Sequence, residues 1–171
     1  MIAAIDVRDL VGQPGSSREL RVGWTLEDLG TELARVAPDE PVEAELLLES
    51  VVEGILVSGR LRGTLQLRCA RCLQDFAAPL EVEVSEMFVA APDPEGDEYP
   101  LDAEGFVDPE QMVRDTVGVE LPFSPLHRPD CQGLCPVCGG DRNLGECPGE
   151  HPQVDARWSA LDQVLDQLQN N

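Results

Sequence analysis

The sequence predicts an α+β fold: an antiparallel sheet curled toward a barrel, a few helices, and a C-terminal segment stapled by its cysteines. Three observations predict it. Apolar and polar residues alternate through much of 42–90, the period of half-buried strands. Helix signals lie only in the flanks. Four of six cysteines and one of two histidines fall in a 21-residue stretch, "CQGLCPVCGGDRNLGECPGEH", residues 131–151. With 171 residues, 42% of them hydrophobic, the chain can bury one real core with a satellite module.

Taken in order, "AAIDVRDL" reads as a strand and "VGQPGSSREL" as a Pro-Gly-Ser loop. "TLEDLGTELARV" reads as a short helix with Thr25 as its N-cap, ended by "APDEP". "VEAELLLESVV" and "EGILVSG" are strand candidates separated by turn residues. In "GRLRGTLQLRC", Leu61, Leu65, Leu67 and Cys69 share one face; Arg60, Arg62, Thr64, Gln66 and Arg68 share the other. In "PLEVEVSEMFV", Leu80, Val82 and Val84 alternate with Glu81, Glu83 and Ser85. Residues 91–107 hold six acids, three prolines and no base, and read as a mobile acidic loop. "DPEQMVRDTVGVEL" opens a helix, with Asp108 as N-cap and Pro109 at the first helical position. From Asp155, Trp158, Leu161, Leu165 and Leu168 recur at the spacing of an amphipathic helix. The expected organisation is a β-rich body, residues 1–126, and a cysteine-bearing segment with its helix, residues 127–171, packed on the body as one domain.

In a reducing compartment, close cysteines point to metal or redox chemistry before disulfides. Cys69 and Cys72 form "CARC" at a strand end. A thioredoxin-like pair would open a helix, whereas Pro79 and the alternation from Leu80 indicate a return into an antiparallel strand, the geometry of a zinc knuckle. Cys135 and Cys138 form a second Cys-x-x-Cys, in "GLCPVCGG". His127 stands four residues before Cys131, and His151 four after Cys147. Pairing ligands along the chain gives site one as Cys69, Cys72, His127 and Cys131, and site two as Cys135, Cys138, Cys147 and His151. Each is a closed set of three thiolates and one imidazole, suited to structural zinc. A competing arrangement is one all-thiolate site of Cys131, Cys135, Cys138 and Cys147, with Cys69 and Cys72 left as a thiol pair; it closes shorter loops. Two zinc ions are expected, one in the competing case, each contributing on the order of 10 kcal/mol to folding.

Thirty-three acidic residues against twelve basic ones, all arginine, give a net charge of −21. Such a field disfavours DNA, RNA and anionic membranes as primary partners and favours a basic one. Arg60, Arg62, Arg68 and Arg71 are the only basic cluster. They read as an RNA-contact face or as a stripe neutralised by Glu81 and Glu83 on the next strand. No HExxH, Walker A, GxGxxG or GxSxG occurs, so no catalytic residues are expected. No apolar run reaches membrane-spanning length, and "MIAAIDVRDL" lacks a basic n-region, so a soluble, cytoplasmic protein is expected.

The order "LQLRCARCLQDF", an alternating strand, "VELPFSPLH", "CQGLCPVCGGDRN" and "DARWSALDQVL" resembles the YceD family, also called DUF177. The resemblance runs from about Pro41 to the C-terminus and is weaker in "DVRDL" and "PGSSRE". It implies a non-enzymatic accessory factor in accumulation of 23S rRNA and large ribosomal subunit biogenesis. The family's gene often neighbours that of a small basic large-subunit protein, which suggests such a protein or a pre-50S particle as partner, with direct rRNA contact secondary. Relatives that lack the later cysteines yet keep the Cys-x-Arg-Cys pair imply two separable sites. Many relatives carry Cys-x-Cys near the end, where this chain has Cys147 and then His151. Other classes remain open at this point: a thiol redox protein using Cys69 and Cys72, or a zinc module of an unrelated complex.

Overall fold

The structure, a computed structural model, describes residues 2–151. The helix expected around Trp158, Leu161, Leu165 and Leu168 lies outside the described residues. The chain divides into two compact units, Met1–Pro129 and Asp130–Asn171.

The first unit is a mostly-sheet α+β body. Its elements are β1 (Ile5–Asp6), β2 (Ser17–Trp24), β3 (Ala34–Val36), β4 (Val42–Ser50), β5 (Ile55–Arg68), β6 (Asp75–Val89), β7 (Tyr99–Pro100), β8 (Phe106–Val107) and α1 (Glu110–Glu120). The main sheet runs β2-β4-β5-β6-β7, with β3 also paired to β5. β5 and β6 form a long hairpin in register from Ile55↔Phe88 to Arg68↔Asp75. Along the other edge of β5, β4 pairs residues 55–62 and β3 pairs 65–67. The expected alternation holds here: Leu61, Leu65, Leu67, Leu80, Val82 and Val84 are all buried. They join Trp24, Leu48, Phe88, Met112, Val113 and Val117 in one apolar core, whose burial drives this fold.

Several expectations are corrected. The sheet does not close into a barrel: among the described residues no ladder joins β2 to β7, which stay edges. α1 is the only helix among the described residues rather than one of a few. "TLEDLGTELARV" forms no helix. Asp28 and Gly30 take left-handed φ of 54° and 149°, and a Cβ at Gly30 would lie 2.4 Å from the Ala34 carbonyl oxygen. Ala34 and Val36 then bury on alternate positions as β3, so tertiary pairing overrides local helix propensity. "SREL", expected as loop, begins β2, which as a whole pairs eight residues of β4. "EGILVSG" and "GRLRGTLQLRC" are one strand, because Gly59 lets the backbone of Glu45 approach where a Cβ would sit 2.1 Å from its oxygen. The 91–107 segment contains β7, pinned parallel to β6, and β8, paired with β1; Tyr99 stacks on Phe88 with ring centroids 5.3 Å apart. Pro109 is the N-cap of α1 instead of Asp108, though the Asp108 carboxylate accepts the Glu110 amide N–H at 3.0 Å.

Candidate metal centres

The turn of the β5–β6 hairpin is the first knuckle. Cys69 accepts at its carbonyl from the Leu73 amide and donates its own N–H to the Gln74 carbonyl, both at 2.9 Å. Leu73 sits at φ 62° to close the turn. The second knuckle repeats this pattern at the same offsets. The Gly139 amide donates to the Cys135 carbonyl and the Cys135 amide to the Gly140 carbonyl, again at 2.9 Å, with Gly139 at φ 75°. A strand–turn–strand setting, not the start of a helix, thus presents Cys69 and Cys72. The thioredoxin-like arrangement is absent there.

The eight residues come together as two groups: Cys69, Cys72, His127 and Cys131, and Cys135, Cys138, Cys147 and His151. Within each, the ligand atoms all lie within 4.8 Å of one another. Cys131 belongs to the first group, so the all-thiolate arrangement does not form. Cys72 Sγ is 3.4 Å from His127 Nδ1, and Cys147 Sγ is 3.2 Å from His151 Nε2. A tetrahedral ion with usual zinc–sulfur and zinc–nitrogen bonds sets that separation at about 3.6 Å. The donor sets therefore fit a closed Cys₃His centre in both places, and each cluster could hold a metal ion. None of the six cysteines is in a disulfide.

The surroundings favour the thiolate at Cys69 and Cys135. Burial would raise the Cys69 thiol, but the His127 ring and the amides of His127, Cys72 and Arg71 donate to it and hold it down at about 5. The amides of Cys138 and Val137 hold Cys135 at about 6 against its burial, helped by the Cys147 and Cys138 thiols. For Cys147, the Gly149 amide favours the thiolate, but burial and the neighbouring Cys135 and Cys138 push the thiol up. Exposure separates the clusters. Cys69, Cys72 and Cys131 are all buried, whereas Cys138 is exposed and Cys147 and His151 half-buried.

Sequence reasoning missed Asn143. Its Nδ2 donates to Cys131 Sγ at 3.6 Å and to Asp141 Oδ1 at 2.7 Å, while its Oδ1 accepts the Gln132 amide at 2.8 Å. It fixes a ligand's orientation from outside the ligand set. The only sequence signal was its place in "GGDRN", beside the second knuckle.

The arginine stripe is met by carboxylates. Arg60 reaches Glu83 at 3.3 Å and Glu81 at 3.4 Å; Arg62 reaches Glu45 at 3.1 Å and Glu81 at 3.3 Å; Arg68 reaches Asp75 at 2.7 Å. Strand register places Arg60 opposite Glu83 and Arg62 opposite Glu81. Arg71 lies exposed in the first knuckle.

A family described as "Large ribosomal RNA subunit accumulation protein YceD" matches residues 57–165, a span that holds both knuckles. Uncharacterized proteins of Mycobacterium tuberculosis and Mycobacterium bovis are 38% identical over 169 residues, covering 94% of this chain and 80% of theirs. An uncharacterized protein of Mycobacterium leprae is 32% identical over 176 residues, covering 94% and 76%. No solved structure matches the chain significantly.

Proposed function

The chain belongs to the YceD family, and from that membership we propose that it is a zinc-stabilised, non-enzymatic factor in the accumulation of large-subunit ribosomal RNA, acting through a basic partner. The single observation that carries the role is the family match across residues 57–165. The donor sets support zinc as the metal, since three thiolates and an imidazole close a tetrahedral site. Closed sites leave no position for substrate and so stabilise structure rather than catalyse. The net charge of −21 and the carboxylates that meet Arg60, Arg62 and Arg68 support a basic ribosomal protein or a pre-50S particle as partner, over naked RNA. Among the described residues no helix is long and apolar enough to cross a membrane.

Depleting the protein in its own host tests the role. The ratio of large- to small-subunit ribosomal RNA falls on depletion and recovers with the wild-type gene. An unchanged ratio rejects the proposal. A redox reading draws on the lowered Cys69 thiol, but Cys69 is 0% exposed and out of reach of a partner disulfide. Native alkylation separates the two: zinc-bound thiols are protected until a chelator is added, whereas a redox pair reacts without one.

A further inference from the structure

We propose that the outward face of α1, with the acidic groove beside it, is a docking surface for a basic, amphipathic segment of a partner protein. This rests on the basic-partner reading above and gives that partner a place on the first unit. α1 buries Met112, Val113 and Val117. Away from them, Val119 is 79% exposed, and Phe123, just past the helix end, is 90% exposed. Gly118, the residue before Val119, is also exposed. Glycine weakens a helix interior relative to alanine. Among the described residues a Cβ at Gly118 would meet nothing within 4 Å, so packing inside the first unit gives no reason for it. A glycine in an exposed helix face does allow another chain to lie close against the backbone.

Beside this face runs a groove of about 700 Å³, whose lining includes Glu86, Asp97, Glu98, Tyr99, Asp115 and Val119. Among the described residues no arginine or histidine lines it. Among the described residues none of its four carboxylates is in an ion pair, and Arg114, on the same helix, pairs with Glu110 instead. Burial, Asp97 and Asp115 together raise the Glu86 carboxyl, which reports the local negative potential. Charge complementarity therefore selects lysine or arginine heads, whose aliphatic stems can cover Val119 and Phe123. Nucleic acid and a second copy of this chain, itself at −21, would set like charge against like.

The test uses the zinc-loaded full chain and a fluorescent synthetic peptide with lysines on one helical face and leucines on the other. Anisotropy titrations at low and high salt compare wild type, Gly118→Leu, Val119→Ser and the Glu86→Gln/Asp97→Asn pair. Val52→Ser, at an 85% exposed position in the β4–β5 turn, is the control. The expected result is salt-sensitive binding that each face variant weakens about tenfold, with the control unchanged and melting temperatures no lower than wild type. If face variants bind like the control while wild type binds, this surface is wrong and the basic-partner reading stands. If wild type ignores the peptide but binds an RNA hairpin, both fail together. A lower melting temperature in Val119→Ser would mean that the chain's own residues 152–171 cover the face. A native dimer lost in that variant would mean a second copy does. Either overturns the proposal.

Discussion

Removing metal should unfold the second unit and spare the first. The asymmetry follows from what each unit buries. The first unit holds a core of more than twenty apolar side chains, from Ile2 to Leu121. Among the described residues from Asp130 to His151, the buried hydrophobic side chains are Cys131 and Cys135 alone. Those two thiols contribute at most roughly 3 kcal/mol of apolar burial between them. Ordering the backbone of even a few residues costs about 1–2 kcal/mol each, so this segment cannot hold its turns on burial alone. Under the proposed zinc reading, the metal would supply the difference, on the order of 10 kcal/mol per closed site. The assay is hydrogen exchange read by mass spectrometry, with and without a strong chelator. Protection at the amides of Cys135, Gly139 and Arg142, which donate to carbonyls within the unit, should vanish in chelator. The β4–β5–β6 ladder should keep its protection. Persistent protection across 130–151 in metal-free protein would refute the reasoning.

Four further outcomes follow from particular residues. Gly139→Ala forces a side chain into φ 75° without any clash, and should cost about 1 kcal/mol in chemical denaturation of the metal-bound protein. Phe88→Ala removes a fully buried ring stacked on Tyr99, and should cost about 3–5 kcal/mol by urea titration of the first unit. Arg62→Ala, in an exposed ladder with Glu45 and Glu81, should change stability by less than about 1 kcal/mol. Tyr99 is the only tyrosine, so tyrosinate absorbance reads it directly. Burial, its hydrogen bond to Asp115 and the nearby Glu86 and Asp97 push it up from 10.0 to about 12. The raised value favours the neutral phenol, so its stabilising effect is complete below pH 10.0 and is lost as pH rises toward about 12. Asp115→Asn should bring the titration part of the way down, since burial and the other two carboxylates remain.

Much of the central sheet was legible in the sequence because one of its faces is buried and the other wet. That produces the alternation in "GRLRGTLQLRC" and "PLEVEVSEMFV", and even the pairing of Arg60 and Arg62 with Glu83 and Glu81. The ligand grouping could be proposed from chain order, since both histidines stand four residues from a cysteine. Elements whose form depends on distant partners were not legible. "TLEDLGTELARV" has the composition of a helix, and only its pairing with β5 and the left-handed turn at Asp28 and Gly30 make it otherwise. β2 hides behind a Pro-Gly-Ser stretch because its half-buried residues take their order from β4. Barrel closure depends on whether two edges meet, which no local pattern encodes. Asn143 escaped notice because a polar residue in a glycine-rich loop carries no periodic signal.

We propose that both Cys₃His clusters of this YceD family member hold zinc. Native mass spectrometry of protein purified without chelator counts the metal directly. Two zinc ions per chain are expected, one lost on replacing Cys69 and the other on replacing Cys135. Two zinc ions retained in the Cys69 variant, or fewer than two in the wild type, would contradict it.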